Sequence, residues 1–404
     1  MLARPEPACL VIADISGYTG YLAGVELDHA QDVLADLMST VVSALRPTFR
    51  LAKLEGDAAF VYLFTERVDG SHLQDTVERC YFAFRRRLRD IRQSSSCECN
   101  ACLLIPRLNL KVVAHHGAVA RQRIAGRDEL VGSPVVVVHR LLKSSVEESL
   151  GLAAYAMYSA ACIAAMGADP AVIGLREHRE TYEGVGEIVG WVADLEAAWA
   201  AEQQRARVTV EPAKALWQHE SFYPAPPEVV WDWVTSPIRR PLWQPNVLAV
   251  DESSPSGRRG IGTTNHCVHG RDAVVEEVLD WRPFDYLTTR SQLPAQGVPK
   301  LTMTQRFEAV DGGTRVRAAV ARISGAKGRL MGPQIAAEME RLFLQAETTL
   351  GPLIEADLDA RREAASVAEP VVPTSSGRNL REPVQAGATS GRPAVDSGRA
   401  RSSP

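Results

Sequence analysis

The sequence predicts an α+β protein of two domains, on three observations. The chain is 404 residues long, more than one ordinary hydrophobic core accommodates. Its first half alternates short apolar runs with amphipathic segments, whereas its second half strings together runs of strand length and closes on a long amphipathic stretch. Between them, after Trp199, a charged segment ends and the chain restarts at Val208-Thr209-Val210-Glu211-Pro212. The pattern divides into residues 1–205, residues 208–358 and a tail, 359–404.

In the first domain Leu10–Ala13 is a short apolar strand followed by Asp14, and Gly17 and Thr19 signal a turn into the amphipathic segment Val25–Leu45. The backbone N–H groups of such a loop attract phosphate, and Asp14 suits the cation that phosphate brings. Leu51–Leu63 repeats the logic, with Gly56-Asp57 inside an apolar hairpin and Lys53 four residues before Asp57. A lone aspartate after a strand usually caps or solvates a turn. Two of them, each beside a glycine, point to a shared metal and phosphate site. Arg85, Arg86, Arg87 and Arg89 follow Tyr81-Phe82-Ala83-Phe84 on a predicted helix and read as its solvated face. The uncharged run Ser149–Ala168 contains Gly151, Tyr155, Tyr158, Ser159 and Gly167, so it reads as a strand (Leu152–Met157) and a short helix capped by Ser159, not a membrane span. Gly190–Arg207 supplies a last strand and a charged helix.

These residues resemble the class III adenylate and guanylate cyclase catalytic domain, of ferredoxin-like fold. Its first metal motif is matched by Ala13-Asp14-Ile15-Ser16-Gly17-Tyr18-Thr19 and its second by Lys53-Leu54-Glu55-Gly56-Asp57. Lys111–Val119 and Glu129–Lys143 resemble the later strand and the nucleotide-reading segment. Together with a Cys-x-Cys-x-x-Cys run and His139-Arg140-Leu141-Leu142-Lys143, they look like a bacterial cyclase-like family of undefined function. The resemblance implies that Asp14 and Asp57, with Ile15, bind Mg²⁺ or Mn²⁺. It also implies that Gly17, Thr19, Lys53 and Glu129 contact a purine nucleotide, that Arg140 steadies the transition-state charge, and that a homodimer builds the site. Val136 falls where the family has the asparagine that orients the ribose, and valine can neither donate nor accept a hydrogen bond. Loss of one oriented polar group costs on the order of 10²-fold in rate, so the motifs speak for binding more than for turnover.

Composition narrows the partners. A net charge of -4 with scattered basic residues gives no footprint for nucleic acid or an anionic membrane. Asp14 comes too soon after the first apolar run for a signal peptide core, which predicts a cytoplasmic protein, and seven cysteines in that setting predict reduced thiols. Cys97, Cys99 and Cys102 have the close spacing of a thiolate site for structural zinc, with Cys80, His115 or His116 as a fourth ligand. The alternative is a flexible hairpin tip with exposed thiols.

In the second domain Trp217–Val247 reads as a strand, a Pro-Pro start and a helix carrying Val229, Val230, Trp233 and Val234. Strands follow at Gly262–His269, Ala273–Trp281, Tyr286–Gln292, Leu301–Val310 and Thr314–Ile323, then a long helix from Pro333 to Asp357. Period-two alternation sets His266 on one face and Cys267 and His269 on the other. Trp231, Trp233, Trp243 and Trp281 read as core and rim aromatics. Pro/Gly/Ser/Arg-rich residues after Arg361 cannot bury a core and predict disorder. This half resembles the START-like superfamily of polyketide cyclases, dehydrases and lipid carriers, a helix-grip fold whose long helix closes an apolar cavity. Ile335, Met339, Leu342 and Leu350 are expected to line it. Three functions follow: a regulator in which a cyclase-like domain binds a purine nucleotide and metal while the START-like domain binds a hydrophobic small molecule; an adenylate cyclase forming cyclic AMP from ATP; or a lipid or polyketide carrier or cyclase.

Overall fold

The computed structural model describes residues 4–22, 27–94, 104–124, 126–269, 272–294 and 298–366. It is α+β, with two separate sheets. The first contains β1 (Glu6–Ser16), β2 (Arg50–Glu55), β3 (Ala58–Phe64), β4 (Asn109–Ile124), β5 (Arg127–Val131), β6 (Tyr155–Ser159), β7 (Arg176–Tyr182) and β8 (Gly186–Asp194). Its order is β2-β3-β1-β4-β6-β8-β7, with β5 folded back on the far end of β4.

β1 is buried on both faces, which is why its sequence is apolar without alternation. Cys9, Val11, Ala13 and Ile15 pack beneath the helices Leu27–Leu45 and Gly70–Ser94. Ala8, Leu10 and Ile12 face Val138 and Leu141 of the helix Ser133–Leu141. Asp14 is not at the strand exit, as the apolar run alone suggests, but inside β1. Pairing with β4 continues past it, through Ile15 and Leu110 to Ser16 and Asn109. The strand within the uncharged run starts later than its pattern implies, at Tyr155, and Ser159 caps the helix Ala160–Met166 by accepting from the Cys162 N–H at 3.2 Å.

The second sheet is antiparallel throughout, β10-β11-β12-β13-β14-β15-β9, made of β9 (Ala215–Tyr223), β10 (Ala249–Ser253), β11 (Thr264–His269), β12 (Asp272–Arg282), β13 (Tyr286–Gln292), β14 (Leu301–Val310) and β15 (Gly313–Ala321). The helix Pro227–Thr235 and the final helix pack on it as a helix grip, burying Trp231, Trp281, Phe307, Leu350 and Ile354 together. That final helix runs Gly325–Ser366, well beyond Asp357, so residues 359–366 belong to a helix and not to the tail. Asp357 pairs with Arg361 at 3.1 Å. The Arg361 carbonyl accepts from Arg50 at 2.8 Å, which ties the helix end to the first half.

More of that seam is polar than sequence suggests. Asp69 at the head of the helix Gly70–Ser94 accepts two bonds of 2.7 Å from Arg259, and Glu78 on the same helix holds Arg258 at 2.7 and 2.8 Å. Asp75 accepts from the Trp281 indole at 3.1 Å, and Arg79 pairs with the buried Glu228. Burial of the Asp75 carboxyl pushes its pKa up to about 7.

Candidate functional site

The face of the first sheet that lies under the helix Ser133–Leu141 carries both halves of the site. Asp14 continues the row of Leu10 and Ile12, and its partners across the sheet are Ala58 and Lys111. Gly56-Asp57 forms the two-residue turn between β2 and β3, and the Ile15 N–H donates to the Asp57 carbonyl at 3.0 Å. The two aspartate motifs are thereby pinned together through the backbone. Lys111 sits 3.1 Å from an Asp14 oxygen. Burial and then the charge of Asp14 push Asp57 above the ordinary carboxylate range, and burial and then Asp57 raise the Tyr18 phenol.

That donor set fits a divalent cation. Burial does most to raise Asp57 and the nearby Asp14 charge adds to it, against a smaller opposing effect of Lys111. The side chain of Ile15 is buried in the core, so it can offer only its backbone. Among the described residues no three His, Cys, Asp or Glu side chains gather into a metal cluster. An ion held here would therefore complete its shell with water and phosphate oxygens, as Mg²⁺ commonly does.

Gly17 has φ of 84°, and a Cβ on it would lie 3.0 Å from the Arg107 carbonyl oxygen, so both conformation and space require glycine. It leads into the short helix Tyr18–Leu22. The side chain of Thr19 lies outside the described residues.

A second cluster occupies the same face. Lys53 on β2 bridges Glu55 at 3.0 Å and Glu129 on β5 at 3.7 Å, and the bond to Glu55 raises its pKa. His139 reaches Glu55 at 2.9 Å and stacks edge-on against Phe60. Burial opposes ionisation of Glu55, but Lys53 and His139 outweigh it and hold the carboxyl low. The helix bearing His139 approaches closely because Gly117 on β4 has no side chain. A Cβ there would meet Pro134 at 2.6 Å. Arg140 is exposed on this helix, and Val136, one turn before it, is 50% exposed. The structure therefore brings Lys53 and Glu129 together and Asp14 and Asp57 together. Among the described residues, no hydrogen bond or ion pair joins these two groups to each other or to Arg140.

Cys97, Cys99 and Cys102 lie outside the described residues. Their suggested fourth ligands are engaged elsewhere. Cys80 is buried, with its thiol pushed up to about 12, first by desolvation. His115 bonds Ser159 at 2.8 Å and is pushed down to about 4 by burial, and His116 bonds the Thr65 carbonyl at 2.9 Å.

The helix-grip half encloses a cavity of about 360 Å³ between its sheet and its final helix. Met339, Leu342 and Leu350 line it as expected; Ile335 does not, and Phe343 and Ala346 supply that wall. Cys267 and His269 face it, while His266 on the alternate face is exposed. Trp231 and Trp233 are core, whereas Trp243 and Trp281 reach the cavity wall. Arg259 also lines this cavity while clasping Asp69 of the first half. Sequence gives no signal for that link.

Residues 218–350 match the family described as polyketide cyclase/dehydrase and lipid transport, and residues 34–150 match a family of proteins of unknown function, DUF2652. An uncharacterized protein of Mycobacterium tuberculosis is 36% identical over 120 residues, 29% of this chain, and the chain spans about half of that relative, 54%. Among solved structures, the guanylyl cyclase Cya2 is similar over 48% of this chain and 93% of its own, with 19% identity and a TM-score of 0.36. The adenylyl cyclase CyaB of P. aeruginosa covers 48% of this chain and 97% of its own, at 13% identity and a TM-score of 0.32. DynU16, from the dynemicin biosynthetic locus, covers 33% of this chain and 46% of its own, at 21% and 0.28. No helix among the described residues is long and apolar enough to cross a membrane.

Proposed function

We propose that this chain is a two-domain regulator. Its cyclase-like half binds a purine nucleotide with Mg²⁺ or Mn²⁺, and its helix-grip half binds a hydrophobic small molecule that alters the first event. The observation that carries this reading is Arg259, which lines the apolar cavity and at the same time holds Asp69 through two bonds of 2.7 Å. Asp69 also caps its helix by accepting from the His72 N–H at 3.0 Å, so a displacement of Arg259 is felt at the head of a helix of the nucleotide half itself, one that packs against β1.

In the first half, Asp14, Asp57 and the backbone of Ile15 would hold the metal, whose chemistry is to neutralise phosphate charge and orient it. Gly17 would turn the chain at the phosphate loop, and Lys53 and Glu129 would offer a donor and an acceptor for the edge of a purine. Arg140 and Val136 are exposed, as they would need to be to complete a site across a homodimer. Valine at 136 supplies no hydrogen bond to a ribose, which favours binding with weak or no turnover over an active adenylate cyclase.

Calorimetry on the full chain with ATP and Mn²⁺ tests the nucleotide site. Binding should require the metal and be abolished by Asp57→Ala without loss of fold, since a turn carboxylate contributes little to the core. Equal affinity in parent and variant would remove the assignment.

A further inference from the structure

A bulge decides which way Lys53 points. Leu51 pairs with Val61 and Lys53 with Phe60, so the register of β2 slips by one residue at Ala52. Strict alternation would send Lys53 to the side of Leu51, beneath the helices Leu27–Leu45 and Gly70–Ser94. The extra residue turns it instead to the face of Ala58 and Phe60, where Glu55 also stands. There Glu55 is held from two sides. His139 reaches its carboxylate at 2.9 and 3.1 Å, the other ring nitrogen of His139 is fixed on the Val135 carbonyl at 2.7 Å, and Phe60 braces the ring edge-on. Lys53 donates to this anchored carboxylate at 3.0 Å. Glu129 lies at 3.7 Å, beyond hydrogen-bond distance, so one of the three ammonium donors is engaged and the others stay open.

We infer that Glu55 is the positioning residue of the purine contact: with His139 behind it, it fixes the ammonium group of Lys53 in place for a ring nitrogen or oxygen of the base. A lysine on an edge strand otherwise spreads over many rotamers, and ordering it at the moment of binding costs affinity. A carboxylate pinned by an imidazole has ordered it beforehand. Burial opposes ionisation of Glu55, but Lys53 and His139 outweigh it and keep the carboxylate charged for this role. Among the described residues no hydrogen bond or ion pair joins Glu55 to Asp14 or Asp57, so the purine contact can be disturbed apart from the metal. This inference rests on reading Lys53 as a purine contact.

Calorimetry on the full chain with Mn²⁺ compares ATP with inorganic tripolyphosphate, which brings the phosphates without the base. The parent should bind ATP more tightly. Glu55→Ala should shrink that preference by about ten-fold, the worth of fixing one lysine side chain, and leave the affinity for tripolyphosphate unchanged. Lys53→Ala should also remove the preference, and Glu55→Ala should add nothing in the Lys53→Ala background, because Glu55 acts through Lys53. His139→Gln, whose amide nitrogen replaces the Nε2 that reaches Glu55, should keep the preference, whereas His139→Asn should lose it; this pair carries the test if Glu55→Ala fails to fold. An ATP preference that survives Glu55→Ala, equal weakening of both ligands, or a double variant worse than Lys53→Ala alone would overturn the positioning role while the nucleotide reading stands. A parent that holds ATP no more tightly than tripolyphosphate reads no purine, and both then fall.

Discussion

Asp75→Asn should stabilise the protein above neutral pH, because Asp75 is an acid buried at the polar seam between the halves. It is 1% exposed, accepts from Trp281, and has one oxygen with no partner. Burial raises its pKa from 3.8 to about 7. An acid whose folded pKa is raised keeps a proton that the unfolded chain has released, so stability falls as pH climbs from about 4 to about 7 and is level beyond. A shift of about three units at ~1.36 kcal/mol each sets a ceiling of ~4 kcal/mol. Asparagine carries no charge to desolvate, but its amide hydrogens meet the same unpartnered position, which costs ~1–3 kcal/mol. A net gain of ~2 kcal/mol at pH 8 is the expectation, falling through zero between about pH 5 and 6 and becoming a loss of ~2 kcal/mol by about pH 4, where Asp75 carries no charge in either state. Calorimetric melting of parent and variant across that range reads it directly. A variant destabilised equally at pH 5 and pH 8 would refute the reasoning, because it would show that Asp75 is held ionised by Arg258.

Two further outcomes bear on the first half. Val136→Asn should raise any cyclic AMP formation from ATP by on the order of tenfold or more if the missing ribose contact limits turnover, measured as product per protein; no gain would mean that the site departs from the cyclase pattern at more than one position. Cys99→Ser should lower both the zinc released on denaturation and the melting temperature if Cys97, Cys99 and Cys102 hold zinc, since metal binding is linked to folding, whereas metal-free parent protein with unchanged melting would support exposed thiols.

The parts of this protein that are legible in its sequence are those whose signal is local. Asp14 and Asp57 stand beside Gly17 and Gly56 within a few residues of apolar strands. Tyr286–Gln292 and Leu301–Val310 have the same bounds in pattern and in structure. Period two on β11 turns Cys267 inward and His266 outward. What escapes is long-range. Asp69, Asp75 and Glu78 carry no sequence signal of the partners, as far as 206 residues away, that meet them. Arg258 and Arg259, which no sequence pattern singles out, are both charge-paired at the seam. The end of the final helix is illegible for the same reason: Arg361 continues it because Arg50 and Pro47, more than 300 residues earlier, receive it.

The most direct test of the coupling is the affinity of the full chain for ATP with Mn²⁺, measured by calorimetry with the cavity empty and again with it saturated by 2-naphthol. Because Arg259 serves the cavity and Asp69 at once, the two affinities should differ by about five-fold or more, and ATP should shift naphthol binding by the same factor. Arg259→Gln should bring the two values together. Identical nucleotide affinity in both states, with both ligands demonstrably bound, would contradict the regulator reading and leave two independent domains on one chain.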